Sequence, residues 1–179
     1  MEENIFLRDN PAVKFEDYLD FDDEGRLNLG DTLPVVVYRM LEFSLKEVLR
    51  DQLGKDMQVE LFRKAGRRAG EYFAQHLLDV TLPVDDFIRE LQDKMQEMKI
   101  GVLRIEDINE VSGKVILTIA EDADCSGLPV LGETVCNYDE GFLAGILSSY
   151  TGKNYDATEI DCWATGDRVC RFCAEVHEN

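Results

Sequence analysis

The apolar residues change from helical spacing to a period of two near residue 99, and that change constrains the fold of the 179-residue chain more than any other feature. Before it they recur at helical spacing. Val37, Leu41, Leu45, Val48 and Leu49 form one stripe, opened by Asp31, Thr32 and Pro34 and closed by Gly54. Phe62, Ala65, Ala69, Phe73 and Leu77 form a second over roughly 57–78, with Gly66 and Gly70 beside it. Phe87, Ile88, Leu91, Met95 and Met98 form a third, entered through Pro83. After it the period is two. Strands are predicted at 100–108 and 114–120, then a loop over 121–135. A fourth helix follows, opened by the candidate capping box Asn137/Glu140 and closed by Gly152. Two last strands, 156–163 and 168–176, meet at Ala164-Thr165-Gly166-Asp167. Helices first and an antiparallel sheet after them predict an α+β fold.

The length bounds the chain to one domain with a short extension, and no disulfide is required to stabilise a core of this size. We expect an acidic extension or hairpin over 1–25 and the domain over 26–179. Strands are predicted over 14–21 and 26–29, on either side of that boundary. The net charge of −18 disfavours nucleic acid and anionic lipid surfaces as partners. No apolar run approaches the length of a membrane span, and the start lacks the pattern of a signal peptide. A cytoplasmic location is therefore expected, with reduced cysteines.

Four of the five cysteines lie after Val130. Counting outward from Gly166 places Cys162 opposite Cys170 across the last hairpin, where side chains are about 5 Å apart. Cys136 precedes a helix start, where the partial positive charge favours thiolate. Glu159 lies close enough to add a carboxylate if the strand bulges. Three thiolates and one carboxylate suit tetrahedral zinc, and Arg168 and Arg171 could offset the charge. Cys173 falls on the opposite strand face, and Cys125, in a loop, is a weaker candidate. Buried reduced thiols and a redox pair remain as alternatives.

The pattern Cys136–x22–Glu159–x2–Cys162–x7–Cys170 resembles the 4-vinyl reductase domain family of predicted hydrocarbon-binding proteins. That domain also forms the sensor portion of phenol- and aromatic-responsive bacterial activators. Gly66-Arg67-x-x-Gly70, Cys136-x-x-x-x-Gly141 and Cys162-x-Ala164-x-Gly166-Asp167-x-x-Cys170-x-Phe172 extend the match over roughly 26–176. The resemblance implies a structural zinc on Cys136, Glu159, Cys162 and Cys170. It implies an α+β fold shared with NO-signalling and vesicle-tethering proteins, a homodimer, and a small hydrophobic ligand such as an aromatic, a lipid or a tetrapyrrole. The phenol sensors hold the hydroxyl with a His and a Trp. The corresponding places here fall near Phe87 and Val115, so phenol is disfavoured.

Candidate ligand-binding residues are Phe62, Gly66, Ala69, Gly70, Phe73, Phe87 and Met95, on the reading that small residues open space which aromatics and Met line. Close helix packing is the alternative for the same residues. No nucleotide fingerprint or catalytic triad is present, so a binding or sensing role, signalling through a separate protein, is expected over catalysis. A role in tetrapyrrole vinyl reduction and a dimerising scaffold without ligand are the other readings. Asp20–Asp31 also resembles a calcium loop, with acids at 20, 22, 24 and 31 and Gly25 between them; an acidic turn is the favoured reading.

Overall fold

A computed structural model describes residues 13–19, 26, 28–30, 32–109 and 111–177. The chain divides into two units, Met1–Pro34 and Val35–Asn179. In the first, Glu16–Tyr18 form a 3-10 turn where a strand was expected. Successive i to i+3 backbone bonds close it, and the Asp17 carboxylate accepts the Lys14 N–H at 2.8 Å. This local side-chain capture competes with strand pairing. Arg26 and Leu29 are joined by a turn bond, not a ladder. Most of the calcium-loop candidate lies outside the described residues.

The second unit is α+β. Its helices are α1 (Val35–Leu53), α2 (Lys55–Leu77), α3 (Val84–Glu97) and α4 (Asn137–Thr151). Its strands are β1 (Val102–Asn109), β2 (Lys114–Ala120), β3 (Tyr155–Asp161) and β4 (Cys170–Val176). They form one antiparallel sheet in the order β1-β2-β4-β3. No described helix is long and apolar enough to cross a membrane.

α4 is the central element, buried over most of its first ten residues. The sheet covers one side and α2 the other. Gly66 and Gly70 of α2 meet Gly141 and Gly145 of α4. A Cβ on Gly66 would run into the Tyr138 carbonyl, and one on Gly70 into the Phe142 carbonyl. A Cβ on Gly141 would strike the Arg63 carbonyl in return. Small residues set the spacing of two packed helices, and here they let the backbones touch. α3 lays Phe87, Leu91 and Met95 on the sheet, while Met98 stays exposed.

α1 is turned the opposite way from the sequence expectation. Its apolar stripe faces outward: Leu41 is 70% exposed and Val48 56%. The buried side carries Glu42 and Lys46. Lys46 donates to Glu42 Oε1 and to the Val135 carbonyl, each at 2.5 Å. Arg39 binds the carbonyls of Asp122, Ala123 and Ser126, and Tyr38 donates to Asp124 at 2.6 Å. A polar seam, not an apolar one, therefore joins α1 to the 121–136 loop.

Candidate metal centre and apolar cavity

Three segments bring four buried thiols together. The 121–135 loop supplies Cys125, the residue before α4 supplies Cys136, and the two sides of the last hairpin supply Cys162 and Cys170. The hairpin register explains the second pair. Asp161 faces Arg171, as counting outward from Gly166 predicts, and Glu159 is shifted opposite Phe172 by a bulge. Gly166 turns the chain at φ 108°, a conformation glycine adopts without steric cost. Cys170, Phe172 and Ala174 point inward, while Cys173, of opposite parity, stays out of the cluster.

The four sulfur atoms all lie within 4.8 Å of one another. Cys136 Sγ is 3.9 Å from Cys162 Sγ and 3.7 Å from Cys170 Sγ. Cys125 Sγ is 4.0 Å from Cys162 Sγ and 3.0 Å from Cys170 Sγ. A tetrahedron with zinc–sulfur bonds of about 2.3 Å has edges of about 3.8 Å. Three of these separations fall within a few tenths of an ångström of that edge. The neighbouring sulfurs also divide the thiols electrostatically: hydrogen bonding to Cys125, Cys136 and Cys170 drives the Cys162 pKa down, and the corresponding contacts with Cys125, Cys162 and Cys170 push Cys136 up. A soft dication would let all four ionise together.

Glu159 stands beside this group. Its Oε2 accepts the Cys136 N–H at 3.1 Å, and its Oε1 is buried without a hydrogen-bond partner. Burial, then the contact with Cys162, pushes its pKa up to about 8. The backbone N–H of Glu159 donates to Glu140 Oε1 at 2.9 Å. Glu140, in turn, takes a bidentate grip from Arg63 at 2.6 and 2.9 Å. The cation in the electrostatic field of Cys136 is Lys46. Arg171, expected to offset the cluster, instead pairs with Glu106 at 2.6 Å and Asp161 at 3.6 Å, and Arg168 is exposed. The residue that sequence reasoning underrated is Cys125: no periodicity places a loop residue.

A second feature is a cavity of about 340 Å³ between α3, the sheet and α4. Phe87, Leu91, Val115, Leu117, Leu143 and Ile146 are among its walls. The Phe87 ring stacks on Tyr150, with centroids 3.8 Å apart. The Tyr150 hydroxyl is already used, donating to the Leu82 carbonyl at 3.0 Å. Of the seven residues expected to contact a ligand, Phe87 lines this cavity. Gly66 and Gly70 face the α4 backbone, and Ala69 is half-buried at the edge of the core. Phe73 packs edge-on against Phe142, Phe62 lies under the Lys46 ammonium, and Met95 is fully buried in the core. Val115, which the sequence count also placed near a phenol-holding position, lines the cavity as well.

The model of the 4-vinyl reductase domain matches residues 115–176, the stretch that carries β2, α4 and the hairpin. An uncharacterised protein of Methanocaldococcus jannaschii is 30% identical over 151 residues, covering 84% of this chain and 83% of that protein. Among solved structures, the phenol-responsive sensory domain of the transcription activator PoxR, with phenol, superposes with a TM-score of 0.60. It shares 16% identity, over 82% of this chain and 77% of that one. A vinyl-4-reductase family protein from Methanocaldococcus jannaschii superposes with a TM-score of 0.58 and 15% identity, covering 83% of this chain and 84% of that one. With a matching domain model and a relative aligned over most of both chains, this chain belongs to the 4-vinyl reductase domain family.

Proposed function

We propose that this domain binds a small, uncharged, apolar molecule in the cavity between α3, the sheet and α4. The observation that carries the reading is the cavity's chemistry: Phe87, Leu91, Val115, Leu117, Leu143 and Ile146 line it, and Phe87 and Val115 fall near the places that the sequence count assigns to the His and Trp of the resembling phenol sensors. The wall is mostly apolar, with Asp85, Asn109, Thr151, Lys153 and Tyr155 also lining it, which favours a largely apolar ligand. The volume is at the lower end of the range for drug-sized ligands, which suits a single-ring aromatic or a short acyl chain better than a tetrapyrrole.

A zinc ion on Cys125, Cys136, Cys162 and Cys170 would be structural. Four protein donors leave no open position for water, and the three segments they join would be fastened by one ion. Glu159 is the competing fourth donor through its unpartnered Oε1. The outward apolar stripe of α1 supports a homodimer in which two copies cover Leu41, Leu45 and Val48.

Native mass spectrometry of the purified chain tests the ligand reading. Wild type is expected to carry an organic mass that leaves on denaturation, and Ile146→Trp, which fills the cavity, is expected to lose it. Equal organic mass on both proteins, or none on wild type after exposure to toluene, would overturn the assignment.

A further inference from the structure

A buried acidic pair sits directly behind the thiol cluster. One carboxylate oxygen each of Asp122 and Asp139 lies within 4.8 Å of the other and of Cys136 Sγ. Asp122 is 2% exposed and Asp139 4%. The Asp122 Oδ1 accepts the Asp124 N–H at 2.7 Å, but its Oδ2 is buried with no hydrogen-bond partner. Neither residue makes an ion pair with a described cation. The nearby cations are committed elsewhere: Lys46 to Glu42 and the Val135 carbonyl, Arg39 to three loop carbonyls.

We infer that Asp122, Asp139 and the sulfur of Cys136 form a second cation site, so that the centre holds two divalent ions bridged by one thiolate. The inference rests on the reading of the four cysteines as a metal centre. Its physical basis is charge. A dication on four thiolates keeps two negative charges, and two more carboxylates crowd against the same sulfur in a region closed to water. Buried carboxylates must be neutralised, by protons or by a cation. A second dication neutralises the pair, displacing its protons to solvent, and gives Asp122 Oδ2 a partner. The donor set, two hard oxygens and one soft sulfur, fits a borderline ion such as zinc. Water would complete its coordination, because three protein donors converge among the described residues.

Metal counting by inductively coupled plasma mass spectrometry separates the two claims. Wild type saturated with zinc and then desalted should hold two ions per chain. Asp139→Asn should hold one, and Cys125→Ser should lose the sulfur-bound ion. One ion in wild type, lost in Cys125→Ser and unchanged in Asp139→Asn, would overturn the second site and leave the first intact. No ion in wild type would overturn both. If Asp139→Asn fails to fold, zinc X-ray absorption on wild type decides: mixed sulfur and oxygen donors with a metal neighbour at about 3.5–4 Å are expected. An all-sulfur shell without a metal neighbour would contradict the inference.

Discussion

The sulfur atoms of Cys125 and Cys170 lie 3.0 Å apart although the residues are 45 positions apart in the chain. Cys170 opens β4, opposite Ile119 at the end of β2, and the loop that leaves β2 curls back to bring Cys125 over it. The cysteines thus tie the loop, the start of α4 and the terminal hairpin to one point. The same point adjoins the polar seam under α1 through Lys46 and the Val135 carbonyl, one residue before Cys136.

The identity of the fourth donor is open to substitution. Cys125→Ser should lose the sulfur-bound metal and lower the melting temperature by about 4–12 °C, on the order of 2–3 kcal/mol for a domain this size. Glu159→Gln should keep that metal, because its amide oxygen still accepts the Cys136 N–H. Metal analysis and thermal melting of the two variants check this. The reverse pattern would make Glu159 the ligand.

The α2–α4 contact should tolerate no side chain. Gly70→Ala places a methyl against the backbone carbonyl of Phe142, where no flexible group can yield. A loss of about 3 kcal/mol or more is expected, at the upper end of overpacking costs. Urea denaturation measures it; a loss under about 1 kcal/mol would show that the helices can separate cheaply.

Arg63 is half-exposed, but its partner Glu140 is 2% exposed. Arg63→Leu leaves that carboxylate unpaired and should cost about 2–3 kcal/mol. Arg63→Leu combined with Glu140→Gln should recover part of the loss, because the neutral amide still accepts the Glu159 N–H. A double-mutant cycle by urea denaturation reads the coupling.

The seam under α1 should make stability pH-dependent. Burial, with the Asp124 charge second, pushes Glu42 from its ordinary 4.5 up to about 7. The folded state then binds more protons than the unfolded state between those values, so this contribution is lost as pH rises from about 4.5 to 7. Glu42→Gln removes it. The stability of wild type relative to Glu42→Gln should fall by on the order of 2 kcal/mol between about pH 5 and pH 8. Melting curves of the two proteins across that range check the sign.

The helices and the sheet were legible because amphipathic periods report which face is covered, and the hairpin register followed from one glycine. Cys136, Cys162 and Cys170 were legible for the same reason: each lies in or directly beside a regular element. Cys125 was not, because its place depends on how an irregular loop curls. Asp122, Asp139, Glu42 and Lys46 were not, because charged residues are ordinarily read as surface. α1 misled most, since its apolar stripe has the correct spacing for a core helix and yet faces outward. The glycines of α2 carried two readings, and only their contact with the α4 backbone distinguishes bulk removed for a neighbouring helix from bulk removed for a ligand.

The most direct test of the ligand reading is a methyl NMR titration of wild type with toluene and, separately, with phenol. Saturable shifts are predicted for Leu117, Leu143 and Ile146 in the cavity wall, with Val135 beside the thiol cluster unmoved, and with toluene bound more tightly than phenol. Unsaturable shifts spread over the whole surface, or tighter binding of phenol, would contradict a predominantly apolar site.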